Sequence, residues 1–137
     1  MAAMRPIEMV WESGQQFTGG REGGPSLTLD GDSRTAASPV DALVAAAATC
    51  TGIDVVLILE KMRQPFTALA IRVQGTRADE TPKRLTRLEL VYVVTGRGLD
   101  AAKVARAAEL STEKYCSVMQ SLAPDIATHW SIELVEG

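Results

Sequence analysis

The sequence predicts an α+β fold in a single domain that spans residues 1–137. Alternating polar and apolar residues near both ends of the chain are typical of strands, whereas one long apolar stretch in the middle is typical of a helix. These elements do not follow a regular βαβ alternation, which favours α+β over a doubly wound parallel sheet. Apolar residues make up 46 % of the chain and aromatic residues only 4 %, so the predicted core is mostly aliphatic.

The first thirty residues predict short strands joined by glycine turns. Ile7–Glu12 is strand-like, and Ser26–Asp30 alternates like a second or third strand that ends at an Asp-Gly pair. Residues 19–24, with the sequence Gly-Gly-Arg-Glu-Gly-Gly, predict a turn between them, because clustered glycines are typical of turns.

The long helix has a clear start and a clear stop. Ser38 is a suitable N-cap, Pro39 fits the first helical position, and Asp41 stands where a capping box requires an acid. The helix is predicted to run to about residue 62 or 63, where Pro65 stops it. At ~1.5 Å per residue, such a helix is roughly 35 Å long.

This helix has no polar side between Ala42 and Ala48, so it must be covered all round by other parts of the protein. One small sheet covers one side only, and the remaining cover must come from another helix or from a second subunit. The apolar segment Ala42–Leu59 also contains Asp54 and several Thr and Gly residues, which favours a buried helix over a membrane span.

The second half of the chain predicts a hairpin, helices and a final strand. Phe66–Arg77 and Leu85–Thr95 both alternate and are joined by the polar loop 78–84. Helical spacing follows in the segment after residue 100, and Ser111 is a candidate cap for a further helix from Thr112 to about Leu122. His129–Val135 is the predicted last strand.

Composition excludes several classes of function. The net charge is −3 without any block of like charge, which argues against nucleic-acid binding. A zinc site requires about four ligands, and one histidine with two cysteines does not supply them, so no metal or other cofactor is expected. No secretory signal opens the sequence, and we expect a cytoplasmic protein that does not bind membranes, in which thiols stay reduced.

The two cysteines are the candidate reactive groups. Cys50 lies about three turns into the long helix among small residues, and Cys116 lies in a more polar sequence, Glu-Lys-Tyr-Cys-Ser. Two such cysteines are more often simple packing residues. A reactive Cys50 requires a cation from elsewhere, because burial disfavours the thiolate and the helix dipole fades within one turn.

Two segments of the sequence resemble a known family. Ser38-Pro39, followed by Asp41-Ala42-Leu43 and an alanine-rich run to Cys50, is similar to the signature of the OsmC/Ohr proteins around their peroxidatic cysteine. Residues 107–116, which end in Glu-Lys-Tyr-Cys, are similar to the family's helix with the resolving cysteine. The resemblance covers nearly the whole chain and is closest to the OsmC-like branch. It implies an intertwined homodimer with long central helices packed between antiparallel sheets.

The resemblance also implies a mechanism. Cys50 would reduce organic hydroperoxides, Cys116 would resolve the resulting sulfenic acid as a disulfide, and a dithiol such as dihydrolipoamide would restore both thiols. Arg21, in the Gly-Gly-Arg-acid-Gly motif, corresponds to the arginine that stabilises the thiolate. The family's glutamate partner of that arginine is replaced by Val40 here, so Asp41 and Glu22 are the alternative carboxylates.

Two functional hypotheses follow from the resemblance. The paired cysteines and Arg21 favour a cysteine peroxidase. Val40 favours a non-enzymatic OsmC-like dimer that binds a small apolar ligand or senses oxidants. Further departures from the family are Thr51, where an aromatic usually follows the first cysteine, and Ser117-Val118, where a proline and an aromatic often follow the second. If Arg21 is not the cation, Arg34 is the next candidate.

Overall fold

The structure is a computed structural model that describes all 137 residues. The chain forms two compact units, Met1–Leu43 and Val44–Gly137, and the prediction of a single domain stays a prediction. The predicted α+β class is confirmed by three helices and two small sheets. The elements are β1 (Ile7–Ser13), β2 (Gln16–Arg21), β3 (Ser26–Asp30), α1 (Pro39–Lys61), β4 (Phe66–Arg77), β5 (Leu85–Gly96), α2 (Ala101–Leu110), a π-helical segment (Ser111–Tyr115), α3 (Ser117–Ser121) and β6 (Ala127–Val135).

The first unit contains the antiparallel sheet β1-β2-β3. The prediction of a turn over residues 19–24 is wrong in its first half, because Gly19, Gly20 and Arg21 belong to β2 and the turn follows them. The glycine at position 19 is required by the sheet itself. A Cβ atom there would lie 1.8 Å from the carbonyl oxygen of Glu8, so the close approach of β1 and β2 excludes a side chain.

One face of this first sheet is apolar and largely exposed. Paired residues of antiparallel strands share a face, and the register places Ile7 opposite Arg21 and Trp11 opposite Phe17. The exposed fractions are 56 % for Ile7, 61 % for Trp11 and 54 % for Leu27. Arg21 is therefore a cation at the end of an uncovered apolar face.

Asp30 organises the loop between β3 and α1. Its buried carboxylate accepts hydrogen bonds from the backbone N–H groups of Asp32, Arg34 and Thr35 at 3.0–3.1 Å. These bonds stabilise the anion and hold the pKa of Asp30 below its ordinary value. The loop that contains Arg34 is thereby fixed to the end of β3.

The predicted start of α1 is confirmed. Ser38 Oγ accepts a hydrogen bond from the Asp41 backbone N–H at 3.1 Å, and the helix begins at Pro39. Its end at Lys61 is close to the predicted end. By length and composition alone, α1 could cross a membrane, since its most apolar 18-residue window has a mean hydropathy of 2.2. Core helices of globular proteins pass the same test, so this is weak evidence for a membrane span.

The second unit contains the sheet β4-β5-β6, in which the expectation of purely antiparallel sheets is wrong. Strands β4 and β5 form the predicted antiparallel hairpin, but β6 pairs with β5 in parallel, with Arg87 beside Ala127 and Thr95 beside Val135. The reason is the helical connection, which returns the chain to the starting end of β5 and forms a βαβ crossover.

The core of the second unit lies between α1, β5 and α2. Every second residue of β5 faces this core, and one side of α1 packs onto it. The apolar cluster in this core, each member at most 1 % exposed, consists of Val55, Leu59, Leu88, Leu90, Tyr92, Val94, Val104, Ala107 and Ala108. The opposite side of α1 is open, and Ile53 and Leu57 on it are 57 % and 58 % exposed.

The predicted single helix from Thr112 to about Leu122 is wrong. Ser111 continues from α2 in helical conformation, so it does not cap a new helix. The chain then widens into a π-helical segment, leaves it at Cys116 in extended conformation, and forms the short α3 from Ser117. Such insertions of one residue into a helix are common at functional sites and have no signal in hydrophobic periodicity.

We predict that Gly19→Ala destabilises the sheet β1-β2-β3. The added methyl group collides with the backbone of β1, so the free energy of unfolding should fall by roughly 1–3 kcal/mol, as in other overpacked sites. Gly24→Ala is the matched control, because its Cβ would lie 3.4 Å from the nearest atom, an ordinary contact. Urea unfolding measures both variants, and equal stability of the two would contradict the assigned pairing.

Candidate active site

Cys50 lies about three turns into α1, as the sequence predicted. Its neighbours Ala47 and Thr51 are fully buried, whereas Cys50 itself is a partly exposed free thiol. The helix is regular here, so its backbone holds the Cα and Cβ atoms of Cys50 in a fixed position. A small reactant can reach this sulfur without unfolding the helix.

Cys116 is a completely buried free thiol, so the expectation of a more polar setting than that of Cys50 is wrong. The polar neighbours in sequence point away from it. Tyr115 is exposed, with the Lys114 ammonium 5.4 Å from its ring centroid. The Cys116 backbone N–H donates to the Ser111 carbonyl at 3.0 Å, and its Sγ accepts a weak hydrogen bond from the Met119 N–H at 3.4 Å.

The fold brings the two thiols together although they are 66 positions apart in the chain. Burial raises the pKa of the Cys116 thiol to about 11, and direct interaction with the Cys50 thiol adds to the rise, while the Met119 N–H opposes it. Cys116 is therefore neutral at physiological pH. Of the pair, Cys50 has access to solvent and Cys116 is the sheltered partner.

A buried chain of hydroxyl groups lies beneath the two cysteines. Tyr92 of β5 is fully buried, and its hydroxyl is 2.5 Å from Thr51 Oγ1 and 2.6 Å from Thr112 Oγ1. Burial is the main cause that raises the pKa of Tyr92, so its phenol stays protonated and can donate one of these bonds. The chain joins the residue after Cys50 to the segment before Cys116.

Ser111 forms a second link between the same two segments. Its Oγ donates to the Thr51 carbonyl at 2.9 Å and also lies 3.2 Å from Asp54 Oδ2. Asp54 is one helical turn after Cys50, so its carboxylate is on the same side of α1 as the thiol.

The sequence analysis did not identify the five polar residues of this network as site residues. They are Thr51, Asp54, Tyr92, Ser111 and Thr112. The one available signal is Tyr92, a hydroxyl-bearing side chain in the buried phase of an otherwise aliphatic strand, with Leu90 before it and Val94 after it. Buried hydroxyls require partners, so Tyr92 could have suggested a polar contact. Nothing in the sequence indicates that the partners are Thr51 and Thr112.

The other two predicted site residues lie in the first unit, Met1–Leu43. Arg21 is the last residue of β2, is exposed, and forms no ion pair with Glu22 or Asp41. Asp41 is exposed in the first turn of α1, and its carboxylate does not complete the capping box with Ser38. Their assigned roles as thiolate-stabilising arginine and arginine partner stay predictions.

An apolar groove of about 470 Å³ lies between α1 and β4, and its lining includes Thr49, the residue directly before Cys50. Gly52 brings the two elements close, because a Cβ atom there would lie 2.6 Å from Ile71 Cδ1. The groove is lined by Ala48, Thr49, Gly52, Ile53, Val56, Leu57, Leu69 and Ile71. No group of three or more His, Cys, Asp or Glu residues converges in a way that could hold a metal ion.

We predict that iodoacetamide at pH 8 modifies Cys50 well before Cys116 in the reduced protein. With a pKa of about 11, roughly one Cys116 in a thousand is a thiolate at pH 8, and burial hinders access further. Peptide mass spectrometry of timed samples measures the order. Faster labelling of Cys116 than of Cys50 below pH 9 would contradict the described burial.

The pKa of Cys116 in the folded protein, about 11, exceeds the ordinary value of 9.0. The contribution of the neutral thiol to the free energy of unfolding should therefore be lost as the pH rises above 9.

The sequence of this chain matches a known protein family. The model of the family described as "OsmC: OsmC-like protein" matches residues 30–131. Protein YhfA of Escherichia coli K12 is 40 % identical over 126 residues, which cover 91 % of this chain and 94 % of YhfA.

Solved structures show the same fold. A hypothetical protein from Aquifex aeolicus VF5 is 28 % identical, with a TM-score of 0.88 and 99 % of both chains covered. The organic hydroperoxide resistance protein OhrB of Bacillus subtilis has a TM-score of 0.59 at 16 % identity, with 96 % of this chain and 99 % of OhrB covered, which is a likeness of fold alone. The family model and the identity to YhfA together show that this chain belongs to the OsmC-like family.

Proposed function

We propose that the protein is a thiol-dependent peroxidase that reduces organic hydroperoxides through a Cys50 sulfenate and a Cys50–Cys116 disulfide. The observation that carries this proposal is the pairing of an accessible thiol with a buried one in a single chain. A cysteine that only fills space has no need of a second thiol beside it. Membership of a superfamily that contains organic hydroperoxide resistance proteins supports the same reaction class.

The proposed reaction has three steps, which are oxidation of Cys50, formation of the disulfide and its reduction. The Cys50 thiolate attacks the peroxide oxygen, the O–O bond breaks, and the alkoxide leaves as an alcohol after protonation, so that sulfur loses two electrons and becomes sulfenic acid. The Cys116 sulfur then attacks Cys50, the S–O bond breaks, and the hydroxyl leaves with the Cys116 proton as water. A dithiol reductant returns two electrons and two protons to the disulfide and itself becomes a disulfide.

Arg21 has the role of stabilising the Cys50 thiolate in this proposal. Arginine suits the task because its guanidinium stays charged when it is partly desolvated. Its position on the apolar face of β1-β2-β3 supports the role, since covering that face would carry the charge into an apolar environment. Asp41 or, alternatively, Glu22 is the carboxylate proposed to hold the guanidinium.

The cover for the apolar surfaces is proposed to be a second copy of the chain. Along the open side of α1, Ala46, Cys50, Ile53 and Leu57 follow each other at intervals of four, three and four residues. This is the spacing of a helix–helix seam. The two exposed residues Ile53 and Leu57 would pack against the partner, and Cys50 would lie within the seam. A cytoplasmic location, where thiols are kept reduced, completes the proposal.

The alternative function is binding of a small apolar ligand, or oxidant sensing, without turnover. The groove of about 470 Å³ between α1 and β4 favours it, because its lining is mostly aliphatic and includes Gly52 and Ile71. A hydroperoxide with an apolar tail would fit the same groove. Turnover with a dithiol reductant separates the two functions.

We predict that one equivalent of cumene hydroperoxide removes both free thiols of the reduced protein, faster than hydrogen peroxide does. Cys116→Ser should stop at a Cys50 sulfenic acid that dimedone traps, and Cys50→Ser should not react. Stopped-flow fluorescence and intact-mass measurement follow both steps. Overoxidised Cys50 as the sole product in the unmutated protein would contradict the resolving role of Cys116.

Arg21→Ala extends this experiment in the Cys116→Ser background. A neighbouring guanidinium favours a thiolate over the thiol by about tenfold or more, so its loss should slow oxidation of Cys50 by a similar factor at pH 7. Stopped-flow measurement of the oxidation rate compares the two proteins. Arg34→Ala is the matched control from the neighbouring loop, and an effect of Arg34→Ala alone would transfer the role to that residue.

We predict that the protein is an obligate dimer at low micromolar concentration. Leu57→Glu should weaken or abolish the dimer, since it places a charge in the proposed helix seam. Leu134→Glu is the matched control, because Leu134 is an exposed residue of β6 outside the seam. Sedimentation velocity measures all three proteins. A folded, stable wild-type monomer would contradict the proposal.

A further inference from the structure

The hydroxyl chain beneath the cysteines connects the two segments that must meet for a disulfide to form. Tyr92 is bonded to Thr51, which directly follows Cys50, and to Thr112, which lies four residues before Cys116. The chain is complete, since no buried side-chain nitrogen or oxygen atom lacks a hydrogen-bond partner. A single phenol on a third element, β5, therefore bridges both segments.

Ser111 connects the same segments by its two polar groups. Its side-chain Oγ donates to the Thr51 carbonyl, and its own carbonyl accepts the Cys116 N–H across the π-helical turn. That turn ends with Cys116 in extended conformation, φ −69° and ψ 113°. The position of the Cys116 sulfur thus depends on how firmly Ser111 and Thr112 are held against α1.

Disulfide geometry is demanding, because the two Cβ atoms must be about 3.5–4.5 Å apart with a narrow range of dihedral angles. Cys50 is fixed by the regular helix α1, so the adjustable partner is the short segment from the π turn to α3. Glu113, Lys114 and Tyr115 are exposed, so the stretch between Thr112 and Cys116 is held to the core mainly at its two buried ends.

We propose that Tyr92, through its hydrogen bonds to Thr51 and Thr112, is a positioning residue that keeps Cys116 within bonding distance of Cys50. The inference rests on the proposed redox role of the cysteine pair. It assigns to Tyr92 and Thr112 no contact with the peroxide. The phenol acts through the segment that it holds, and the two sulfur atoms carry out the chemistry.

The principal test is Tyr92→Phe, which removes the bridging hydroxyl and keeps the ring. Oxidation of Cys50 by cumene hydroperoxide should stay within about twofold of wild type, whereas closure of the disulfide should slow about tenfold or more. At equilibrium with dithiothreitol, the disulfide should be about tenfold less favoured, which corresponds to ~30 mV for this two-electron couple. Closure and equilibrium that both match wild type would overturn the proposal.

Matched variants distinguish a role of Tyr92 in positioning Cys116 from a general effect on the stability of the folded protein. Val94→Ala removes core volume from the same buried strand but leaves the hydroxyl chain intact, so it should lower stability without changing the closure rate or the equilibrium. Thr112→Val should reproduce the effect of Tyr92→Phe, and Thr112→Ser should restore most of the wild-type behaviour because it keeps the hydroxyl. If Val94→Ala slows closure as much as Tyr92→Phe does, the role is structural only.

The equilibrium with dithiothreitol does not depend on peroxide chemistry. If peroxide fails to oxidise Cys50, the proposed peroxidase function is wrong. The loss of disulfide stability in Tyr92→Phe would then still support the positioning role, and an unchanged equilibrium would reject it. The two ideas can therefore fail separately.

Discussion

The apolar surface of α1 on every side is the constraint on which the rest of the structure depends. The core of the second unit covers one side, where Val55 and Leu59 are fully buried against β5 and α2. The other side stays open at Ile53 and Leu57. Cys50 lies on the open side directly before the buried Thr51, so its side chain is neither enclosed like that of Cys116 nor freely exposed. Partial access at this position is a consequence of how a helix of such composition is packed.

The contrast between the two thiols determines how a disulfide between them would exchange. A reductant reaches the Cys50 sulfur first, because Cys116 is buried, and it must expel Cys116 as the leaving group. A thiol with a raised pKa is a poor leaving group, and the fold keeps the expelled Cys116 beside Cys50, so a mixed disulfide with a monothiol tends to revert. A dithiol avoids this reversal, since its second sulfur displaces the first. The geometry therefore favours a dithiol over a monothiol as reductant on the proposed mechanism.

Residue patterns in the sequence predicted the individual strands and helices well, but they did not predict which distant segments pair. Alternation predicted the hairpin β4–β5 almost to the residue, and Ser38 with Pro39 predicted the start of α1. The parallel pairing of β6 depends on the path of the preceding helices, which alternation within a strand does not encode. The widened turn before Cys116 depends on hydrogen bonds from Ser111 across the core, so a periodicity of 3.6 residues gave one continuous helix instead. The pairing of the two thiols came from family resemblance, because nothing in their spacing indicates contact.

The hydrogen bond between Thr51 and Tyr92 gives a physical reason for the threonine at position 51. The OsmC/Ohr resemblance implies an aromatic residue after the first cysteine, and this chain has a buried threonine there instead. The smaller side chain leaves room for the Tyr92 phenol, and its hydroxyl supplies that phenol with a partner at 2.5 Å. An aromatic ring without a hydroxyl at position 51 would occupy that volume and leave a buried phenol with one partner fewer, at a cost of about 1–3 kcal/mol. Thr51 and Tyr92 are thus complementary choices in this sequence.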